Sequence, residues 1–211
     1  VGLPGAEFSA GPLALADVNG DGNLEVLVGG RVVPGRFPEA AATWLLGVES
    51  GRFNVVQRLE ALGLVSGATF SDLDGDGDPD LLLACQWDSI RVFRNDGGKL
   101  VETTREWGLR EFRGLWNGVA TGDFDGDGRP DFVASNWGLN WRTDQPAGVD
   151  LPVRLYAGDF AGNGEWTTLL ASEDRALGVI APWRDWRVVG AAIPTVFDTL
   201  PEGMPRVMSI G

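Results

Sequence analysis

One acidic, glycine-rich segment occurs three times in this 211-residue chain and aligns with itself without gaps. The three copies span residues 17–25, 72–80 and 123–131. A fourth, weaker copy spans residues 159–167, and the leading aspartates of the four copies are 55, 51 and 36 residues apart. Internal repetition at about fifty residues predicts that one small supersecondary unit is built several times over.

The sequence around these acidic segments predicts β-strands. Apolar runs follow the three strong copies at residues 24–28, 81–85 and 132–134, and such runs are typical of strands buried on both faces. Glycine-rich turns within residues 44–56 and 90–103 then predict hairpins, because glycine adopts positive φ at little cost. Four strands in about fifty residues are the size of a propeller blade. We therefore predict an all-β fold of about four antiparallel blades.

The pattern changes towards the C-terminus. Residues 182–192 are typical of a short helix, which Pro194 would break or restart. We predict propeller repeats over residues 1–175 and a C-terminal extension with this helix over residues 176–211. No signal-peptide pattern follows Val1, so we expect a mature form or a piece of a longer protein.

Composition excludes several classes of function. A net charge of −13 argues against nucleic acids and anionic membrane surfaces as partners, and no apolar run predicts membrane insertion. Histidine is absent, which removes the commonest general base. Cys85 is the only cysteine, so no internal disulfide can form. No catalytic constellation emerges elsewhere, and we predict that the chain is not an enzyme.

The acidic segments have the chemistry of calcium loops. Oxygens from positions 1, 3, 5 and 9 and a main-chain carbonyl from position 7 can surround one point, and glycine at position 6 permits the turn. Ca²⁺ takes six to eight oxygen ligands, whereas zinc and copper favour nitrogen and sulfur, so we predict about three Ca²⁺ ions. The predicted side-chain ligands are Asp17, Asn19, Asp21 and Glu25, Asp72, Asp74, Asp76 and Asp80, and Asp123, Asp125, Asp127 and Asp131. The predicted carbonyl ligands belong to Asn23, Asp78 and Arg129.

Two variations on this pattern matter. The residue at position 12 of the strong copies is Val28, Leu83 or Ala134 rather than glutamate, so these loops are not EF-hands. The fourth copy has Ala161 at position 3 and Thr167 at position 9. We expect it to bind metal weakly or not at all. Its remaining candidate ligands are Asp159, Asn163 and Glu165.

These loops, with their spacing, resemble the FG-GAP/VCBS repeat family, the integrin-α-like calcium-binding β-propellers. The phrases at residues 29–38, 94–98 and 136–140 further resemble bacterial secreted VCBS proteins that carry ASPIC/UnbV-like regions. The resemblance implies that each loop joins the first two strands of a blade and binds Ca²⁺. It also implies a fold of seven blades in most members. With length for about four, this chain would be part of a larger propeller or close as a small ring.

Three functions fit these observations. The first is a calcium-rigidified scaffold for adhesion-like recognition of a protein or glycan, placed outside the cell, on its surface or in the periplasm. The second is the glycan-binding part of a carbohydrate-active enzyme, for which Trp137 and Trp141 are the candidate sugar-stacking residues among nine tryptophans. The third, a calcium-dependent hydrolase or lyase, is disfavoured because the clustered carboxylates are already committed to the loops.

Overall fold

The computed structural model describes residues 8–138, 153–174, 178–183 and 189–190, and it divides the chain into two compact units. The first unit contains ten strands. Residues 35–37 belong to the second unit. The ten strands are β1 (Ser9–Ala16), β2 (Glu25–Val32), β3 (Thr43–Glu49), β4 (Arg52–Leu59), β5 (Leu64–Ser71), β6 (Asp80–Asp88), β7 (Arg91–Asn95), β8 (Leu100–Glu102), β9 (Gly114–Gly122) and β10 (Asp131–Asn136).

The first two repeats each form a set of four antiparallel strands, which we name blade 1 and blade 2. Strands β1 to β4 pair in sequence order as blade 1, and β5 to β8 pair in the same way as blade 2. In the third repeat the structure describes the pair β9 and β10. In each repeat the acidic loop joins the first two strands, as the family resemblance implies. The all-β class is confirmed, whereas the count of four blades and the closure of a ring stay predictions.

Strand β6 is buried on both faces, as its apolar run predicts. Leu81, Leu83 and Cys85 point into a cluster shared with Leu27 and Leu45 of blade 1. The intervening residues Leu82 and Ala84 point into a second cluster, which Val119 and Phe132 of the third repeat complete. Because strand side chains alternate between faces, one strand therefore serves two blade-to-blade interfaces.

The blades of the first unit are also joined by polar contacts. Gln57 of β4 exchanges two hydrogen bonds with the main chain of Leu100 in β8, at 2.7 and 3.0 Å. At the far end of β6, Gln86 and Asp88 pair with Leu115 and Gly114 of β9, so that the second and third repeats share one sheet. These contacts fix the order of the repeats within this unit.

Blade 1 also has a face turned away from blade 2. Val28, Trp44 and Leu46 form a small cluster there, against which Phe8 packs. Further along β1 on this face, Leu13 and Leu15 are 65% and 58% exposed.

The second unit contains a three-stranded antiparallel sheet of β11 (Arg154–Gly158), β12 (Thr167–Asp174) and β13 (Val179–Pro182). The predicted start of a helix at Pro182 is wrong, because Pro182 ends β13 opposite Ala171 and the Trp183 amide donates to Leu170. Val189 and Gly190 have helical backbone, and the remainder of the predicted helix lies outside the described residues. The described segments contain no helix of the length and hydropathy required to cross a membrane.

Candidate metal centres

Strand register brings the two ends of each acidic loop together. In blade 1 the last residue of β1, Ala16, pairs with Glu25, the loop's ninth residue. Ser71 pairs with Asp80 in blade 2, and Gly122 pairs with Asp131 in the third repeat. Position 1 directly follows the first strand of each pair, so the acids at positions 1 and 9 enter the same space from opposite ends of the loop.

The position-1 aspartate organises the turn. Its Oδ2 accepts a hydrogen bond from the amide of the position-6 glycine in every copy: Gly22 to Asp17 at 2.8 Å, Gly77 to Asp72 at 3.0 Å, Gly128 to Asp123 at 3.0 Å, and Gly164 to Asp159 at 2.8 Å. These glycines have φ between 83° and 95°, a region that other residues rarely adopt. The glycines of the motif are therefore required by the backbone.

The position-9 acid closes the loop from the other side. Its carboxylate accepts a hydrogen bond from the amide of position 2: Val18 to Glu25 at 2.8 Å, Leu73 to Asp80 at 2.9 Å, and Phe124 to Asp131 at 3.0 Å. Glu25 and Asp80 are buried. Thr167 occupies this position in the fourth loop, so that loop keeps its turn without the closing carboxylate.

Two loops bring three carboxylates around a common point. One group is formed by Asp72, Asp74 and Asp80 of the second loop, and the other by Asp123, Asp125 and Asp131 of the third loop. In each group, one carboxylate oxygen from each residue lies within 4.8 Å of the corresponding oxygens of the other two. Oxygens bound to one Ca²⁺ lie at most about 5 Å apart, since each Ca–O distance is roughly 2.3–2.6 Å. The all-oxygen donor set and its spacing are therefore compatible with one Ca²⁺ in each group.

The predicted ligands at position 5 are not members of these three-carboxylate groups. Asp21, Asp76 and Asp127 each accept a hydrogen bond from the amide of position 7, at 2.8, 2.9 and 2.8 Å. These bonds orient the segment that carries the predicted carbonyl ligands Asn23, Asp78 and Arg129. Among the described carboxylates, the grouped ones come from positions 1, 3 and 9.

The first loop differs at position 3, where Asn19 replaces an aspartate. The Asn19 amide lies 3.4 Å from Glu25 Oε1, so its side chain reaches the ninth residue as Asp74 and Asp125 do. An amide oxygen is an acceptable calcium ligand, and the substitution removes one negative charge. The first loop thus has one carboxylate fewer than the other two strong loops at these positions, and its electrostatic attraction for a cation is weaker.

The environments of these acids shift their pKa values in opposite directions. Burial raises the pKa of Asp80 above its usual value, although the amides of Asn95 and Leu73 oppose the shift. The amide of Asn23 lowers the pKa of Asp21, and the amide of Gly164 lowers that of Asp159. A buried carboxylate such as Asp80 is costly to ionise, and a bound cation removes that cost.

Trp137 and Trp141 are the candidate sugar-stacking residues. Trp137 is 49% exposed, and its amide donates to the Leu115 carbonyl. Trp141 lies outside the described residues. Trp44 is buried in the blade 1 cluster, whereas Trp107 and Trp166 are partly exposed. Trp137 is therefore the described member of the predicted pair that is accessible to a ligand.

Sequence reasoning missed Asn95, which ends β7 and begins a hairpin turn. Its main-chain amide donates to Asp80 Oδ1 at 2.8 Å, and its side-chain amide donates to the Val18 carbonyl at 2.8 Å. Asn95 therefore contacts the second loop at position 9 and the first loop at position 2. The asparagine-aspartate-glycine-glycine turn signals a hairpin and gives no indication of these contacts.

Comparison with known proteins supports the resemblance over part of the chain. Residues 72–134 match the family model described as FG-GAP-like repeat. The match contains the second and third loops, both three-carboxylate groups, and the strands between them. No curated protein matches the chain.

Proposed function

We propose that this chain is a calcium-binding scaffold module in which Ca²⁺ fixes the loops between the first two strands of each repeat. The carboxylate groups around Asp74 and Asp125 carry this proposal, because their spacing fits one calcium ion each. Three ions are expected, one in each strong loop. Ions at these positions hold strand ends in place, so their role is structural, and recognition falls to other surfaces of the blades.

The proposed setting is outside the cell, on its surface or in the periplasm. Calcium sites of extracellular modules have dissociation constants of about 10⁻⁴–10⁻³ M, which only calcium-rich surroundings saturate. The proposed partner is a protein or a glycan, in keeping with the adhesion-like role that the resemblance implies. The proposed module is not catalytic: the sequence has no histidine, and its clustered acids serve the loops.

Calcium titration followed by thermal unfolding tests the metal proposal. A ligand that binds only the folded state stabilises it by about 2.7 kcal/mol at one hundred times its dissociation constant. For a chain of 211 residues, we expect calcium to raise Tm by about 5 °C or more and EDTA to reverse the rise. An unchanged Tm across the titration would refute the proposal.

Single-site variants test the stoichiometry. Asp74→Ala and Asp125→Ala should each remove one ion from the approximately three bound by the unaltered protein, because each takes one carboxylate from a grouped site. Asp159→Ala is the matched control and should leave the stoichiometry unchanged. Isothermal titration calorimetry or elemental analysis after desalting gives the count. Equal loss in all three variants would contradict the distinction between strong and degenerate loops.

Glycan binding is the second candidate, and Trp137, which is 49% exposed, favours it. Aromatic rings that face solvent can stack on sugar rings, so Trp137→Ala should abolish glycan binding while the calcium-dependent Tm is retained. Trp44→Phe, which alters a buried tryptophan, is the control that should keep binding. A blank glycan array for the calcium-loaded protein would eliminate this candidate.

A further inference from the structure

A continuous chain of hydrogen bonds joins the first and second acidic loops across the interface between blades 1 and 2. Asp80 closes the second loop and accepts from the Asn95 main chain at 2.8 Å. The Asn95 side chain donates to the Val18 carbonyl at 2.8 Å. The Val18 amide in turn donates to Glu25, which closes the first loop, at 2.8 Å.

Every residue in this series of hydrogen bonds is shielded from water. Asn95 is 1% exposed, Val18 and Asp80 are 2% exposed, and Glu25 is 4% exposed. Water therefore cannot replace a hydrogen bond that is broken here. A buried amide or carboxylate without a hydrogen-bond partner raises the free energy of the folded state. A shift of Asp80 consequently moves Asn95, and a shift of Asn95 moves the main chain of the first loop.

The turn that carries Asn95 is itself held against the first loop. Asn95 Oδ1 accepts from the Gly98 amide at 2.8 Å, which closes the hairpin turn. A Cβ added at Gly98 would lie 3.1 Å from the Asn19 side chain, so the turn and the first loop are already in close contact. The side chain is thus positioned by its own turn, and it cannot rotate away from Val18 without breaking both bonds.

We propose that Asn95 couples the two proposed calcium sites, so that occupation of one increases the affinity of the other. An ion in the second loop fixes the position of the Asp80 carboxylate, and the hydrogen bond between Asp80 and the Asn95 amide then fixes Asn95. Asn95 then holds the Val18 peptide in the orientation in which its amide meets Glu25. Such coupling is reciprocal by thermodynamic necessity, so filling the first loop favours the second equally. Asn95 is a positioning residue here, and the coupling rests on the proposed function.

Site-resolved calcium titration by NMR tests the coupling. The amides of Gly22 and Gly77, each bonded to the position-1 aspartate of its loop, report the two sites separately. In the otherwise unaltered chain, Asp74→Ala should weaken calcium binding at the first loop by about fivefold or more, the lower end of typical coupling strengths. In an Asn95→Ala background, the same substitution should change that affinity less than about twofold.

Two controls separate coupling from general loosening of the fold. Gln57→Ala removes a pair of partly buried hydrogen bonds between blades 1 and 2 without altering an acidic loop, so it should lower Tm and keep the fivefold effect. Asp125→Ala empties the third loop and should leave the first loop's affinity unchanged. If Asn95→Ala does not fold, Asn95→Asp replaces it, because aspartate keeps the acceptor for Gly98 and lacks the donor to Val18.

The outcomes are distinct. First-loop affinity that is the same with and without Asp74 overturns the coupling, as does a fivefold effect that persists without the Asn95 donor. In both cases calcium binding itself survives. The absence of saturable calcium binding at either loop instead overturns the proposed function, and the coupling falls with it.

Discussion

Cys85 shows how a single residue reports on the interface between blades. Its side chain is fully buried in the cluster between blades 1 and 2. Burial raises the pKa of the Cys85 thiol to about 12, and the nearby Arg91 only partly offsets this. The thiolate is the nucleophile in cysteine chemistry, so this thiol has neither the charge nor the access that reaction requires.

The folded protein should therefore resist alkylation of Cys85. At pH 8 a thiol of pKa about 12 is roughly one part in ten thousand thiolate, and its burial reduces access further. We expect labelling by iodoacetamide, followed by mass spectrometry, only when the blades separate, and calcium should slow it further. Rapid labelling of the native protein would contradict this interface, and the protein in guanidinium chloride is the positive control.

At the same scale, the acidic motif predicts which residues are candidate ligands, but it does not predict their contacts with distant parts of the chain. Asp80 could be predicted as a candidate ligand, because its type and position follow the repeat. Its burial and its bond to Asn95 could not, because Asn95 lies fifteen residues further along the chain. Contacts between residues that are distant in sequence depend on how the strands pair, which a local pattern does not specify.

At the scale of the element, the approach of two strands depends on glycine. A Cβ added at Gly67 in β5 would lie 2.8 Å from the Cα of Gly118 in β9, a distance that real Cβ atoms essentially never show. The first strands of the second and third repeats therefore pack with their backbones in close contact. A Cβ added at Gly118 would meet only the Ser135 hydroxyl, at 3.5 Å, which is ordinary contact.

Gly67→Ala should consequently destabilise the protein, and Gly118→Ala should not. Overpacking of this kind costs about 1–3 kcal/mol, which for a chain of 211 residues lowers Tm by about 3–10 °C. Alanine at Gly118 should leave Tm within about 1 °C, because neither space nor φ opposes it. Equal Tm values for the two variants, measured by differential scanning calorimetry, would show that β5 and β9 are not in this contact.

The elements themselves were largely predictable. The apolar run at residues 81–85 predicted a strand buried on both faces, and β6 has that environment because its side chains alternate between two clusters. The helix predicted from Pro182 was wrong at its start. The pairing of β13 with β12 outweighs the local pattern there, since a proline at the end of an edge strand need not donate to a ladder.

At the scale of the whole molecule, charge is distributed unevenly. Fourteen of the thirty acidic residues lie in the four loops, and the net charge is −13. Like charges held close together repel each other and destabilise the folded state. Divalent cations remove this repulsion at the loops, whereas dissolved salt only screens it.

The stability of the calcium-free protein should therefore depend on salt. Raising KCl from about 10 to about 150 mM shortens the Debye length from about 30 to about 8 Å, which weakens repulsion between loop carboxylates. We expect Tm in EDTA to rise by about 3 °C or more over this range and to change by less than half as much with calcium present. Equal salt responses in the two conditions would mean that the loop acids are not the source of the repulsion.

The repeat pattern by itself determined the kind of unit that this chain builds. Alternation, glycine turns and the spacing of oxygen-bearing side chains are local properties, and they specify a strand, a loop and the next strand. Only the tertiary structure decided which residues of different repeats meet. It placed Asn95 between two loops and brought Gly67 against Gly118. Those contacts arise from the packing of one blade on the next, and packing between distant segments leaves no periodic signature in either of them.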